Sequence, residues 1–142
     1  MTSELDKLIA EIQKEIWVDI SETVIEHAQN PRNLGNIKDA DGYADLTGQC
    51  GDAMQIWIKV DDYKIKEITF WTDGCGTTLA SGSMVTELAK GKAVNDALQI
   101  TPLDVLDALG GLPEESVHCA FLAVNTLHEA IKDYRKRQSG TE

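Results

Sequence analysis

The sequence of 142 residues has no apolar stretch long enough to cross a bilayer. Its first residues are charged and amphipathic and lack the continuous apolar core of a secretory leader. Basic residues are scarce: 13 Lys and Arg against 24 Asp and Glu leave a net charge of -11. An acidic surface repels nucleic acid and anionic membrane alike, so neither is expected as a partner, and a protein with a basic face is. Cysteine is scarcer still. Its count of 3 is odd, which excludes a complete disulfide framework. No CxxC pair occurs, which argues against a thioredoxin-type redox site and a standard zinc knuckle. A reducing cytoplasm is the expected location, and free thiols there more often bind metal or react than cross-link. Internal repeats and low-complexity segments are absent. A hydrophobic share of 42% and a charged share of 26% suit one folded domain with a core, which sets disorder aside.

What is present is a readable succession of elements. Ser3 and Asp6 stand at capping-box spacing, and Leu5, Leu8, Ile9, Ile12 and Ile16 recur at helical intervals. They predict an amphipathic helical extension over residues 1–19, docked on the domain or a second subunit, or acting as a lid over a metal site. Ser21 is expected to cap a short helix that turns Val24, Ile25 and Ala28 inward and ends at Asn30-Pro31. Met54, Ile56, Ile58 and Val60 alternate with Gln55, Trp57 and Lys59, the period of a strand with one buried face. Asp61-Asp62 turns the chain into a hairpin partner over Lys64 to Thr72, and Tyr43 to Gln49 adds a third strand. Thr77 or Thr78 is expected to cap a helix that Gly91 stops. Thr101, Pro102 and Asp104 open another, ended by Gly110-Gly111. A long last helix from near Ser116 carries Phe121, Val124, Leu127, Ile131 and Tyr134. Strands first and helices afterwards predict an α+β fold, a small antiparallel three-stranded sheet with helices packed on it. Residues 139–142 are expected to form a flexible tail. Trp17, Trp57 and Trp71 are expected in the core or an interface. His27 reads as structural, His128 as packing or surface, and Lys132, Arg135, Lys136 and Arg137 as a solvated helix end.

The chemistry concentrates at the cysteines. Cys50 stands in Gly-Gln-Cys-Gly-Asp, Cys75 in Asp-Gly-Cys-Gly-Thr, and Cys119 follows His118. A cysteine that only fills a core usually has apolar neighbours. Glycine, carboxylate and imidazole beside these thiols point instead to one metal pocket assembled by the fold. Cys75 is expected just ahead of a helix and Cys119 in the first turn of another, where free N–H groups and the helix dipole favour a thiolate. Cys50 and Asp52, two apart in extended chain, would share a face. Three thiolates are one short of the four that usually hold an iron–sulfur cluster. Asp52 or His118 supplies the fourth ligand, a harder donor that suits temporary custody of a thiophilic metal. The same set fits tetrahedral zinc. A thiol enzyme with Cys119 as nucleophile and His118 as base ranks last. Neighbours on a helix point about 100° apart, and the other two motifs would go unexplained.

From about Ser21 to Tyr134 the chain resembles the IscU/NifU-type iron–sulfur cluster assembly scaffolds. The matching pieces are Ser21-Glu22 through Asn30-Pro31-Arg32-Asn33, Cys50-Gly51-Asp52, Gly74-Cys75-Gly76 with Ala80-Ser81, and His118-Cys119. The span from Cys75 to Cys119 lacks the insertion of SufU-like relatives, which places the resemblance nearer the IscU branch. The resemblance implies a scaffold domain over residues 20–138 that is not an enzyme in the usual sense. A cysteine desulfurase would supply persulfide sulfur, iron would bind, and an electron donor such as a ferredoxin would complete a [2Fe-2S] cluster for delivery to apo iron–sulfur proteins. Cys50, Cys75 and Cys119 would be cluster ligands. Asp52 or His118 would complete the set or control release, and Cys119 would accept sulfur. The alternative is a zinc-binding sulfur acceptor that activates a desulfurase, with zinc in the cluster-free form. A homodimer is compatible with either. Where the family carries Leu-Pro-Pro-Val-Lys for chaperone recognition, this sequence has Leu112-Pro113-Glu114-Glu115-Ser116. Ile20 replaces an aromatic residue, and residues before Asp19 exceed the shorter members.

Overall fold

A computed structural model describes residues 21–49 and 51–139. The expected N-terminal helix with Trp17, the residue Cys50 and positions 140–142 lie outside the described residues. The element order is α1 (Glu22–Gln29), β1 (Gly42–Thr47), β2 (Ala53–Asp61), β3 (Lys64–Thr72), α2 (Gly76–Ala89), α3 (Val94–Ala97), α4 (Pro102–Leu109), a 3-10 turn (Glu114–Ser116) and α5 (Val117–Ser139). The strands form one antiparallel sheet in the order β1-β2-β3. This is the expected α+β arrangement.

Strand register follows from the alternation. Met54 faces Thr72, Ile56 faces Phe70 and Ile58 faces Ile68, and all six are buried on the face that the helices cover. Helix α5 lies across β1 and β2, while α2 packs on β3, on α5 and on α1. A one-residue slip would turn the whole apolar set to solvent, so this register is strongly specified. Asp62 and Tyr63, both left-handed at φ 53° and 62°, close the β2–β3 hairpin in a turn whose twist matches the strands. Trp57 and Trp71 do not enter the core. Trp57 is half-buried on the outer face against Tyr43, with ring centroids 5.3 Å apart, and Trp71 is 43% exposed.

The caps are mostly those anticipated. The Ser21 hydroxyl accepts from the Val24 N–H at 3.1 Å and donates to the Leu109 carbonyl, tying α1 to the end of α4. Thr101 and Asp104 form a reciprocal capping box, and Gly110 ends α4 in the left-handed region. Helix α2 differs. Its N-cap is Cys75, which is extended at ψ -174°, so helical geometry begins at Gly76, ahead of Thr77 and Thr78. Helix α3 was not anticipated, because four residues are too few to show a period. On α5, Phe121 points outward and is 50% exposed; Ala120, Leu122, Ala123 and Val124 fill the space below. On α1, Val24 and His27 are the buried residues, and Ile25 and Ala28 are half-buried. His27 is structural as expected: its Nδ1 lies 2.7 Å from the Ser83 hydroxyl of α2. His128 bonds the Ile100 carbonyl at 2.9 Å through Nε2.

Two outcomes follow from this packing. A side chain at Gly82 would overlap the Phe70 ring. Gly82→Ala should therefore cost about 1–3 kcal/mol, measured by urea unfolding, because overpacking outweighs the helix-propensity gain. Burial, and secondarily the Arg32 charge, holds the His27 pKa below its ordinary 6.5. The unfolded chain then binds more protons than the native one below that value, so stability falls as pH drops through it. His27→Gln should flatten the stability–pH slope between about pH 6.5 and 5 in unfolding titrations; an unchanged slope would assign it to other groups.

Candidate functional site

Three chain segments meet at one end of the sheet: the β1–β2 loop, the β3–α2 junction and the first turn of α5. The β1–β2 loop doubles back on itself. Gly48 N–H donates to the Asp52 carbonyl at 2.8 Å, Gly51 N–H donates to the Gly48 carbonyl at 3.1 Å, and Gly51 takes φ 89°. Gly51, in the left-handed region, thus turns the chain just ahead of Asp52. Cys50 itself lies outside the described residues. The β3–α2 junction is clamped to this loop. The Asp73 carboxylate accepts from Ala53 N–H at 2.8 Å, and the Thr72 hydroxyl donates to the Ala53 carbonyl at 2.6 Å and accepts from Gly74 N–H at 3.1 Å.

Gly74 makes the closest approach of the site. A Cβ there would stand 2.6 Å from Thr78 Cβ and 2.8 Å from Asp52 Oδ2. Only glycine lets the loop pass between those two groups.

Around this point the structure gathers Asp52, Cys75, His118 and Cys119. Two threonines stand among them. Thr78 Oγ1 donates to Asp52 Oδ2 at 2.9 Å and lies 3.3 Å from Cys119 Sγ and 3.8 Å from Cys75 Sγ. Thr77 Oγ1 lies 3.2 Å from Cys75 Sγ and 3.6 Å from Cys119 Sγ. His118 Nε2 reaches back to 3.8 Å from Cys119 Sγ, despite the divergence of adjacent helical positions. Among the described residues, no three His, Cys, Asp or Glu groups form a ready-made ion cage. The sulfurs and the carboxylate are held through hydroxyls.

The two described thiols differ. Cys75 is exposed and Cys119 is buried at 2% exposure. The Cys75 pKa is lowered, first by the hydrogen bond from the Thr77 hydroxyl; the backbone N–H groups of Thr77 and Thr78 add to this, against partial burial. Those amides close no cap hydrogen bond to the sulfur and act on it as dipoles. Cys119 lies beneath, covered by the threonines. Beside the site, a cleft of about 530 Å³ is lined by Leu46, Gln49, His118, Phe121 and Asn125, among others.

Sequence reasoning missed Thr77 and Thr78 as site residues. The signal was available: side chains on a helix lean toward its N-terminus, so hydroxyls two and three residues past an N-cap cysteine lean back toward the sulfur.

With that geometry in view, residues 19–141 match the family described as NifU-like N terminal domain. The chain is 49% identical over 118 residues to iron-sulfur cluster assembly scaffold protein IscU 1 of Archaeoglobus fulgidus, covering 82% of this chain and 77% of that protein. It is 43% identical over 127 residues to the IscU scaffold protein of Aquifex aeolicus, covering 87% and 81%. It is 42% identical over 123 residues to that of Haemophilus influenzae, covering 83% and 97%. Among solved structures, the N-terminal NifU-like protein of Brucella abortus superposes with a TM-score of 0.69 at 17% identity, over 86% of this chain and 98% of that one, a likeness of fold.

The Thr77 hydroxyl should be measurable in Cys75 reactivity. In a Cys50→Ser, Cys119→Ser background, Thr77→Val should move the alkylation–pH curve of Cys75 to higher pH, and Thr77→Ser should restore it. An unmoved midpoint would show that the hydroxyl does not hold the thiolate.

Proposed function

The chain belongs to the IscU/NifU family of iron–sulfur cluster assembly scaffolds, and from that premise we propose that it builds a [2Fe-2S] cluster from desulfurase-derived sulfur and iron and passes it to apoproteins. The observation that carries this reading is the convergence of Asp52, Cys75 and Cys119 on two threonine hydroxyls at the junction of three chain segments. The cluster is cargo: it arrives in parts and leaves whole.

Each residue has a distinct task. Cys75, exposed and shifted toward the thiolate, meets an incoming metal ion or sulfur donor first. Cys119 takes the sulfur. Its thiolate attacks the outer sulfur of the donor persulfide; one S–S bond forms, one breaks, and the desulfurase thiolate leaves, with no net redox change. For this, Thr77 and Thr78 must move off Cys119. Converting the sulfane sulfur to sulfide takes an electron pair, delivered singly by a ferredoxin-type donor. Cys50, Cys75 and Cys119 then ligate the cluster. Asp52, an oxygen donor to a thiophilic centre, or His118, completes the set and leaves it exchangeable. The scaffold itself is not an enzyme, its setting is cytoplasmic, and its acidic surface suits a basic docking face on the desulfurase. Two copies would share the work as a homodimer.

A zinc-bound desulfurase activator is the second reading. It is favoured by Asp52 and His118 standing beside the thiols, a mixed O, N and S set suited to tetrahedral zinc. Metal analysis of protein purified without oxygen separates the two: iron with acid-labile sulfide against zinc alone.

Anaerobic reconstitution with iron and sulfide, followed by visible spectra, tests the roles. Cys50→Ala, Cys75→Ala and Cys119→Ala should each abolish a stable cluster, and Asp52→Ala should lengthen its lifetime. Undiminished cluster yield in all three cysteine variants would end the proposal.

A further inference from the structure

The side chain at the centre of the site is not one of the candidate ligands. Thr78 is fully buried, and its hydroxyl is the one atom placed against the carboxylate and both described sulfurs. A buried hydroxyl on a helix ordinarily finds its partner in its own helix, by bonding a carbonyl one turn back. Three other buried hydroxyls do this, while that of Ser83 meets His27 of α1. Ser81 donates to the Thr77 carbonyl at 2.8 Å, Thr86 to that of Ser83 at 2.7 Å, and, on α5, Thr126 to that of Leu122 at 2.7 Å. Thr78 instead sends its proton off the helix, to a carboxylate 26 positions back in the sequence. Its room to do so comes from Gly74, whose missing side chain would collide with both Thr78 and Asp52.

We propose that Thr78 is a positioning residue: its hydroxyl clasps Asp52 against the Cys119 sulfur before any metal arrives, so that carboxylate and thiol are presented to the incoming cation together. This deepens the scaffold reading and rests on it for the identity of the cargo. The hydroxyl has a single proton, and the geometry commits it to Asp52 Oδ2. The Cys119 sulfur is left facing its lone pairs, a position from which a thiol proton is accepted and from which a thiophilic cation can take the sulfur without first breaking the Asp52 contact. Without the clasp, nothing else among the hydrogen bonds described holds the Asp52 side chain, which would turn to water and have to be recaptured in each binding event.

The test uses the whole chain and cobalt(II) alone as the probe, because thiolate-to-cobalt absorption reports ligation without any cluster chemistry. Thr78→Val keeps the shape and removes the hydroxyl, and should weaken cobalt binding about tenfold, the scale of one hydrogen bond to a charged group. Thr78→Ser restores the hydroxyl and should restore most of the affinity. The decisive arm is a double-mutant cycle. In an Asp52→Ala background the clasp has nothing to hold, so Thr78→Val should weaken cobalt binding by less than about twofold. Thermal unfolding of each variant reports packing separately. A tenfold loss that persists in the Asp52→Ala background, or is not rescued by serine, would overturn the clasp and leave Thr78 a packing residue. Failure of the wild type to bind cobalt would overturn it as well. Cobalt binding with a coupled cycle but no cluster on reconstitution would support the clasp and remove the scaffold reading instead.

Discussion

The placement of α2 against the sheet is the constraint on which the rest depends. The helix approaches β3 closely because Gly82 offers no side chain to the ring of Phe70, itself buried with Met54 and Ile56 in the core. From that contact the first turn of α2 projects beyond the end of the sheet and carries Cys75, Thr77 and Thr78 to the first turn of α5. Shift α2 outward by one side chain and the threonine hydroxyls lose Cys119 and Asp52 together. A packing event in the middle of the helix thus sets hydrogen-bond distances at its end, as expected of an interior that transmits strain because it is dense.

The candidate site that results is built from weak bonds around the groups proposed as ligands. Thiol and carboxylate groups meant for a cation repel one another once ionised, and a rigid empty cage would destabilise the fold. Hydroxyls between them lower that cost, since each can donate to one ionised neighbour and accept from one that keeps its proton. The arrangement is also asymmetric in depth. Cys75 faces solvent with its thiolate favoured, while Cys119 is covered. A scaffold that must collect components in sequence and give up the product is served by such a gradient.

Much of this was legible in the chain. The alternation through Met54 to Val60 and the Thr101-Pro102-Asp104 cap were realised, and the β2–β3 hairpin turn formed one residue later than expected, at Asp62-Tyr63. They are local signals, governed by strand period, turn dihedrals and capping chemistry. The errors were local signals overridden by neighbours. Threonine is a good N-cap, but Cys75 took that position because the loop clamped by Asp73 and Thr72 delivers the chain there already extended. Just ahead of Asp52 the chain turns at Gly51, where a positive φ is accessible.

The sequence alone determined the α+β fold class and which scaffold family the chain resembles, and it singled out cysteines flanked by glycine, carboxylate and imidazole as the candidate site. Residue type and spacing suffice for those conclusions because they express covalent geometry and short-range energetics. Tertiary structure decided that Cys75 is open and Cys119 covered, that Asp52 leaves a reversal instead of a strand, and that a threonine hydroxyl stands where the ligands meet. The reversal is a turn that Gly51 permits, whereas the covering of Cys119 and the place of the threonine depend on distances between positions 41 and 26 residues apart in the chain. Such distances are fixed by how a helix and a sheet pack in three dimensions, and no local pattern encodes them.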